Sequence, residues 1–415
     1  MSVSLVCTVC NKPYEGRADR YICTHCGGSV EPVLEVSPAR TDLIAAIRRG
    51  SARAEGIWGY RAFFPGFEEI EPVTMGEGGT PLYRAHALEK EYGVSALFLK
   101  NETLNPSGTY KDRFASPMLS LCRAEGVSSV ALGSAGNAGS SVAAYAAKAG
   151  IPCYVVLPEG GVFARAQQAM SYGARFIRAK GEVNDCIDLI EKGVSRYHWK
   201  NACTTMLHNP LASEGYKSIV YELFEQMGET VPAAVLCPIG GGILISKVYR
   251  AYRELVALGL ADRMPRLFGV QAAGCQPVVW AMEHGARETP VWEEPHTIAG
   301  SINDPVTFEG VTALHVIRAT NGAAVAVTDE EILAAMRLSA SREAVLAEPA
   351  SAAAIAAAKK LRESGELKEG ESCVCIVTGS ALRDLPLFAG AGPESSAVRP
   401  DHIEDLDEAF ARFSF

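Results

Sequence analysis

A chain of 415 residues and 44.2 kDa exceeds one ordinary domain and predicts at least two lobes, each with a core of its own. Apolar residues make up 48% and charged residues 21%, with mean hydropathy near zero, which excludes a largely disordered or membrane-embedded chain. The 39 basic and 48 acidic residues leave a net charge of −9 and a pI near 5.5, which opposes a nucleic-acid backbone or an anionic bilayer as main partner. No apolar run reaches about 18 residues, and residues 1–5 carry no basic leader, so a cytoplasmic protein is expected.

Taken from the amino terminus, the first feature is a facing pair of Cys-x2-Cys motifs, Cys7 with Cys10 and Cys23 with Cys26. Each pair is followed by turn formers, Asn11-Lys12 and Gly27-Gly28, which suits two knuckles presenting four thiolates to one tetrahedral zinc. His25 lies inside the second knuckle and reads as a solvent-facing loop residue. The other eight cysteines are scattered through apolar runs and read as small buried hydrophobes.

Behind this ribbon a helix is expected over 41–49, then an aromatic arm over 57–65 that packs on the body. From Leu97 onward short apolar runs alternate with glycine-rich turns and helical stretches, the pattern of βαβ units and a mostly parallel sheet. The first unit reads as strand 129–132, turn 133–140, helix 141–149 and strand 153–157. Helix 163–172, strand 175–179 and helix 184–197 continue it. A second block repeats the theme with strand 233–237, turn 239–242, helix 244–258 and strand 267–271, so two lobes are expected. Helices over 329–338 and 351–364 precede a buried strand 373–377 that runs into Thr378-Gly379-Ser380. The acidic tail beyond Gly390 reads as peripheral.

The chemistry concentrates in three places. Lys111 follows a Pro-Ser-Gly turn just before a helix expected over 114–124. The positive end of that helix lowers a lysine pKa and favours a neutral amine or a Schiff base, although a solvated surface lysine is the ordinary reading of such a residue taken alone. Gly133-Ser-Ala-Gly136-Asn137-Ala-Gly139 and Gly240-Gly241-Gly242 each join a strand to a helix and can turn backbone N–H groups toward an anion. Neither has the spacing of a dinucleotide fingerprint, which disfavours a nicotinamide dehydrogenase, and neither carries a Walker lysine. Two such turns with a helix-start lysine point to a phosphorylated aldehyde cofactor.

Six segments in order carry a resemblance: Gly76-Glu-Gly-Gly-Thr-Pro81, Asn105-Pro-Ser-Gly-Thr-Tyr-Lys111-Asp-Arg113, Ser134-Ala-Gly-Asn137, the triple glycine, Glu348-Pro-Ala-Ser-Ala352 and Val377-Thr-Gly-Ser-Ala-Leu-Arg-Asp384. Together they resemble threonine synthase and its relatives among the fold-type II pyridoxal-phosphate enzymes, and the four-cysteine ribbon is similar to one preceding the body in some of them. The resemblance implies an α/β fold of two lobes with parallel-sheet cores, like the β subunit of tryptophan synthase. Its parts would be a zinc ribbon at 1–35, a large cofactor-binding domain at 36–115 and 212–415, and a small domain inserted at 116–211. It implies that Lys111 forms the Schiff base with pyridoxal 5′-phosphate and moves protons at the substrate. Asn137 would meet the ring hydroxyl, Gly240, Gly241, Gly242 and the N–H of Ile243 the phosphate, and Thr378 the pyridine nitrogen. Ser134, Ala135, Lys100 and Arg165 would line the substrate site, and a cytoplasmic homodimer is implied.

Departures from the family pattern bear on the substrate. Ala135 replaces a hydroxyl residue, Ile243 replaces a fourth glycine, and Ser301-Ile-Asn-Asp-Pro305 is shorter than its family counterpart. Where threonine synthases carry groups for the phosphate of O-phosphohomoserine, this chain has Met206, Leu207 and Ala212, which offer no charge to a dianion. Loss of phosphate from O-phosphohomoserine with hydration at Cβ is therefore weighed against β-replacement or β-elimination on a serine-derived substrate, as in cysteate synthase or the ammonia-lyases. A zinc-ribbon adaptor with no catalysis is the reading from another class, and it predicts no cofactor absorbance.

Overall fold

The computed structural model describes residues 3–16, 20–49, 55–134, 136–158, 166–180 and 183–388. The sequence-based helix over 163–172 falls partly outside these residues, and the tail beyond Gly390 wholly so. Strand β1 (Leu5–Cys7) pairs antiparallel with β2 (Val30–Pro32) to make the ribbon.

The larger sheet has the order β11-β10-β9-β12-β4-β3, built from β3 (Leu82–Arg84), β4 (Ala96–Asn101), β9 (Ala234–Pro238), β10 (Arg266–Ala272), β11 (Ala324–Val327) and β12 (Ser372–Val377). All pairs are parallel except β3 against β4. Its central strands are buried on both faces, as covered parallel strands must be. On β12 the alternation assigns Val374 and Ile376 to one core, while Cys373, Cys375 and Val377 enter the other. The second core is closed by helix 349–363, whose alanines, including Ala352, Ala353, Ala356 and Ala357, are small enough for its backbone to approach the strands closely.

The smaller sheet has the order β7-β6-β5-β8, with β5 (Val130–Leu132), β6 (Cys153–Pro158), β7 (Arg175–Ala179) and β8 (Lys200–Asn201), all parallel. It lies entirely within the 116–211 segment. Among the described residues no helix is long and apolar enough to cross a membrane.

Helix α1 (Thr41–Arg48) and the aromatic turn Gly56–Phe63 pack with Tyr221 and Phe224 in the first core. Short elements that carry no periodic signal, β3, β8 and α2 (His86–Tyr92), appear only in the structure. Helix α3 (Asp112–Ala124) begins two residues before the sequence pattern suggests, because Asp112 rather than Phe114 opens it. Helix α4 (Asn137–Ala149) starts four residues early, since Gly136 holds the extended, non-helical step (φ −92°, ψ −143°) and leaves Asn137 already in the helix.

Candidate active site

Parallel strands deliver their following turns to one edge of a sheet, so neighbours in the sheet bring distant sequence segments together. The carboxyl ends of β4, β12 and β9, adjacent in that order, lead to the Lys111 loop, to Thr378-Gly379 and to the triple glycine. From the smaller sheet, β5 leads to Gly133–Asn137. Three of the expected segments thus share one edge by topology, and Asn137, bonded to Glu348 and next to Gly379, joins the fourth to them.

Lys111 stands at the start of α3 with backbone angles of −61° and −19°. Its loop is stitched to the end of β12: Tyr110 N donates to Thr378 O at 2.9 Å, Thr109 Oγ1 donates to the same oxygen at 3.0 Å, and Ser380 N donates to Gly108 O at 2.9 Å. Buried Asp112 ties the same loop to α4, accepting from Ser107 N at 2.7 Å and from Ser141 Oγ at 2.5 Å. Burial pushes its carboxyl up to about 6 against those hydrogen bonds. The lysine tip donates to Thr204 Oγ1 at 3.0 Å and lies 4.9 Å from the ring centroid of Tyr110 and 5.8 Å from that of Tyr216. Among the described residues the amine is held by one hydroxyl and two ring faces and forms no ion pair with a carboxylate, so it is free to change partner.

The glycine turn after β9 passes into α8, our label for Ile243–Ala257 once α5 (Gln167–Ser171), α6 (Val183–Tyr197) and α7 (Ser218–Gln226) are counted. Gly242 takes φ +99°, a left-handed value that favours glycine, and no side chain caps the helix start. A Cβ on Gly240 would collide with Asp304 Oδ2, and one on Gly241 would lie 3.3 Å from Glu309 Oε2. Glu309 is buried and Asp304 partly buried. Burial pushes Asp304 up to about 6 and Glu309 up to about 7, in each case against the charge of Lys111.

Asn137 donates to Glu348 Oε1 at 2.7 Å, and Arg383 Nη2 donates to its amide oxygen, so an acid and a guanidinium together fix which way the amide points. A small cleft here is lined by Gly136, Asn137, Ser301, Glu348, Arg383 and Asp384. A Cβ on Gly379 would lie 2.6 Å from Glu348 Oε1. Thr378 is buried beside it, its hydroxyl 3.0 Å from Ser351 Oγ.

Lys100, expected to line the substrate site, sits in a buried ion-pair network. It has no exposed surface and donates to Glu222 Oε2 at 2.7 Å, Thr80 O at 2.7 Å and Gln226 Oε1 at 3.0 Å. A buried ammonium stays where its counter-charge and acceptors are, and here the counter-charge Glu222 and one acceptor, Gln226, belong to α7. Ser134 borders the Asn137 loop, its hydroxyl accepting from Gly136 N at 3.3 Å, whereas Ala135 and Arg165 lie outside the described residues. Met206 and Ala212 are buried in the same apolar cluster as Ile243. Asp304, Glu309, Thr204 and Tyr216 were not singled out from the sequence, and only the fold brings them beside Lys111.

The four ribbon cysteines meet as expected. Their sulfurs lie within 4.8 Å of one another, with Cys7 to Cys26 at 3.5 Å and Cys10 to Cys23 at 3.7 Å. Tetrahedral zinc with bonds of about 2.3 Å needs sulfurs about 3.8 Å apart. The ribbon docks on α8 through Glu31, 3.1 Å from Arg250 and 3.7 Å from Lys247. Ser29 N also donates to Thr312 Oγ1 at 2.8 Å, on the helix that opens after Glu309.

The model of the family described as pyridoxal-phosphate dependent enzyme matches residues 73–379. The threonine synthase of Methanocaldococcus jannaschii is 37% identical over 398 residues, covering 95% of this chain and 96% of its own. That of Methanosarcina acetivorans is 35% identical and covers 98% of each. Among solved structures, maize serine racemase superposes with a TM-score of 0.66 at 23% identity, covering 84% of this chain and 96% of its own, a likeness of fold. The glycine turn at an uncapped helix start, the lysine with a single hydroxyl partner and the fixed amide of Asn137 fit pyridoxal phosphate. With sequence relatives that span nearly the whole chain and a site that suits pyridoxal phosphate, the chain belongs to the pyridoxal-phosphate dependent enzymes, as a lyase of the threonine synthase type.

Proposed function

We propose that the chain releases phosphate from O-phosphohomoserine and adds water to give threonine, as the name of its relatives suggests. The observation that carries this reading is the convergence of Lys111, Asn137, the triple glycine and Thr378 at the ends of four strands. Bound pyridoxal phosphate supplies the electron sink that lets the substrate's α-proton leave. Lys111 takes that proton and returns protons to neighbouring carbons, a role that needs its amine neutral for part of the cycle. Asn137 orients the ring hydroxyl through an amide that Glu348 and Arg383 hold in place. The Thr378 hydroxyl meets the ring nitrogen without delivering a full charge, which favours elimination over transamination. The N–H groups at 240–243 grip the phosphate.

A serine-derived substrate such as O-phosphoserine is the second reading: Met206, Leu207 and Ala212 offer no charge where the phosphate of O-phosphohomoserine would be bound, and a chain one carbon shorter would place its phosphate elsewhere. Each compound offered separately to the purified holoenzyme decides between them. Phosphate release and threonine from O-phosphohomoserine support the first reading, and turnover of O-phosphoserine alone overturns it in favour of the second.

Under the same reading, residues 1–35 are the ribbon, 36–115 with 212–415 the large domain and 116–211 the small one. The protein works as a cytoplasmic homodimer, which light scattering of the purified protein tests. Cys7, Cys10, Cys23 and Cys26 hold a structural zinc, because about 30 residues cannot bury a sufficient core without one. Chelation should unfold the ribbon and lower the thermal midpoint while the cofactor absorbance persists, since none of the four cofactor segments takes its hydrogen bonds from the ribbon. Loss of metal and colour together would contradict this. Gly242→Ala forces an L-residue into a left-handed conformation at about 1–2 kcal/mol. It should weaken cofactor retention at least tenfold, read by absorbance after dialysis.

A further inference from the structure

Five buried side-chain polar atoms among the described residues have no hydrogen-bond partner. Three of them, Asn303 Oδ1, Thr307 Oγ1 and Glu309 Oε2, fall within 303–309, and the Tyr216 hydroxyl is a fourth. Buried polar groups are normally satisfied, so this grouping, of which Tyr216 and Glu309 neighbour Lys111, calls for a ligand.

Glu309 gives the sharpest case. Its N–H donates to Gly241 O at 2.8 Å and its Oε1 accepts from Met206 N at 2.8 Å, so both ends of the residue are anchored. The remaining oxygen, Oε2, has no partner and faces the glycine turn, 3.3 Å from where a Cβ on Gly241 would stand. Asp304 presses its own carboxyl against Gly240 in the same turn. An anion seated on these N–H groups beside buried Glu309 and partly buried Asp304, both ionised, would be repelled strongly. A proton on the unpartnered oxygen replaces that repulsion with a charge-assisted hydrogen bond.

We propose that Glu309 carries a proton on Oε2 and donates it in a hydrogen bond to the phosphate held by the turn at 240–242. The proposal rests on the cofactor reading above. Charged and titratable groups face Glu309 from each side: Lys111 from the start of α3, Tyr216 from the 212–217 turn, and Asp304 from its own segment. Burial leads among the causes that push the Glu309 carboxyl up to about 7, with the Asp304 charge adding to it, against the Met206 N–H, the Lys111 charge and the Leu207 N–H. Raising the pH through that value removes the proton and restores the repulsion, so phosphate-dependent affinity is present below it and lost above it.

The test compares pyridoxal 5′-phosphate with pyridoxal, which shares the aldehyde and lacks the phosphate. In the wild-type protein, stripped and reloaded, the ratio of the two dissociation constants should shift about tenfold against the phosphorylated form between about pH 6.5 and about pH 8.5. Glu309→Gln, neutral at every pH and still a donor, should flatten that shift. A ratio in the wild type that stays level or moves the other way overturns the proposal even if the variant fails to fold, and so do parallel profiles for wild type and Glu309→Gln. Absence of any cofactor band near roughly 410–420 nm in the wild type would instead overturn the cofactor reading itself.

Discussion

Lys111→Ala should yield a folded, colourless protein whose turnover is lower by on the order of 10⁴-fold or more, because the covalent attachment and the proton carrier are lost together. Folding should survive the change. The lysine tip makes one hydrogen bond, to Thr204 Oγ1, and the loop around it is held by backbone bonds to Thr378 and Gly108 that the substitution leaves alone. Lys111→Arg sharpens the point, since a guanidinium keeps the charge but cannot become a neutral amine at any accessible pH. Both variants should therefore be inactive with an unchanged circular dichroism spectrum. Measurable turnover in Lys111→Arg would show that charge, rather than amine chemistry, is what the site uses.

The second large effect lies two residues further along the same helix. Arg113 is fully buried and meets Glu102 through Nε at 2.6 Å and Nη2 at 2.8 Å, and Glu222 through Nη1 at 2.6 Å and Nη2 at 2.8 Å. Lys100 completes the cluster on Glu222. Burial raises the Glu222 carboxyl, but the charges of Arg113 and Lys100 outweigh it and hold the group down at about 2. Arg113→Ala leaves Glu102 and Glu222 facing each other with one cation between them. Breaking a buried pair this way costs about 3–5 kcal/mol, a large share of a typical stability. A collapse of the urea midpoint is expected, with loss of cofactor because the start of α3 moves. The folded-state pKa of Glu222 lies below its unfolded value, so its stabilising contribution is present above about pH 4.5 and fades as the pH falls toward about 2. Glu222→Gln should remove that acid-side dependence, read from urea midpoints across the range. A midpoint in Arg113→Ala within the error of wild type would show that the network contributes nothing.

These two residues also mark what the sequence could and could not reveal. Lys111 was legible because its neighbours are local: a Pro-Ser-Gly turn and a helix start are written in consecutive residues. Six strands, β5, β6, β7, β9, β10 and β12, were legible from their apolar runs, and the glycine turns from their place between strand and helix, whereas β3, β4, β8 and β11 were not read as strands. The burial of Lys100 was not legible, because it depends on Glu222 and Gln226, which lie on α7, more than a hundred residues away in the chain. Glu309 carried no signal at all. A glutamate at the start of a helix reads as a solvated first-turn acid, and only the path of 301–309 across the glycine turn removes it from water. The four cysteines stand between these extremes, since spacing suggested one metal and the sulfur distances agree with it.

The most direct test of the account traps the cofactor where it is held. Borohydride reduction of the coloured holoenzyme, followed by digestion and mass mapping, should place the pyridoxyl group on the peptide containing Lys111 and on no other. A reduced protein that carries the group on a different lysine, or carries none while the visible band disappears, would contradict it.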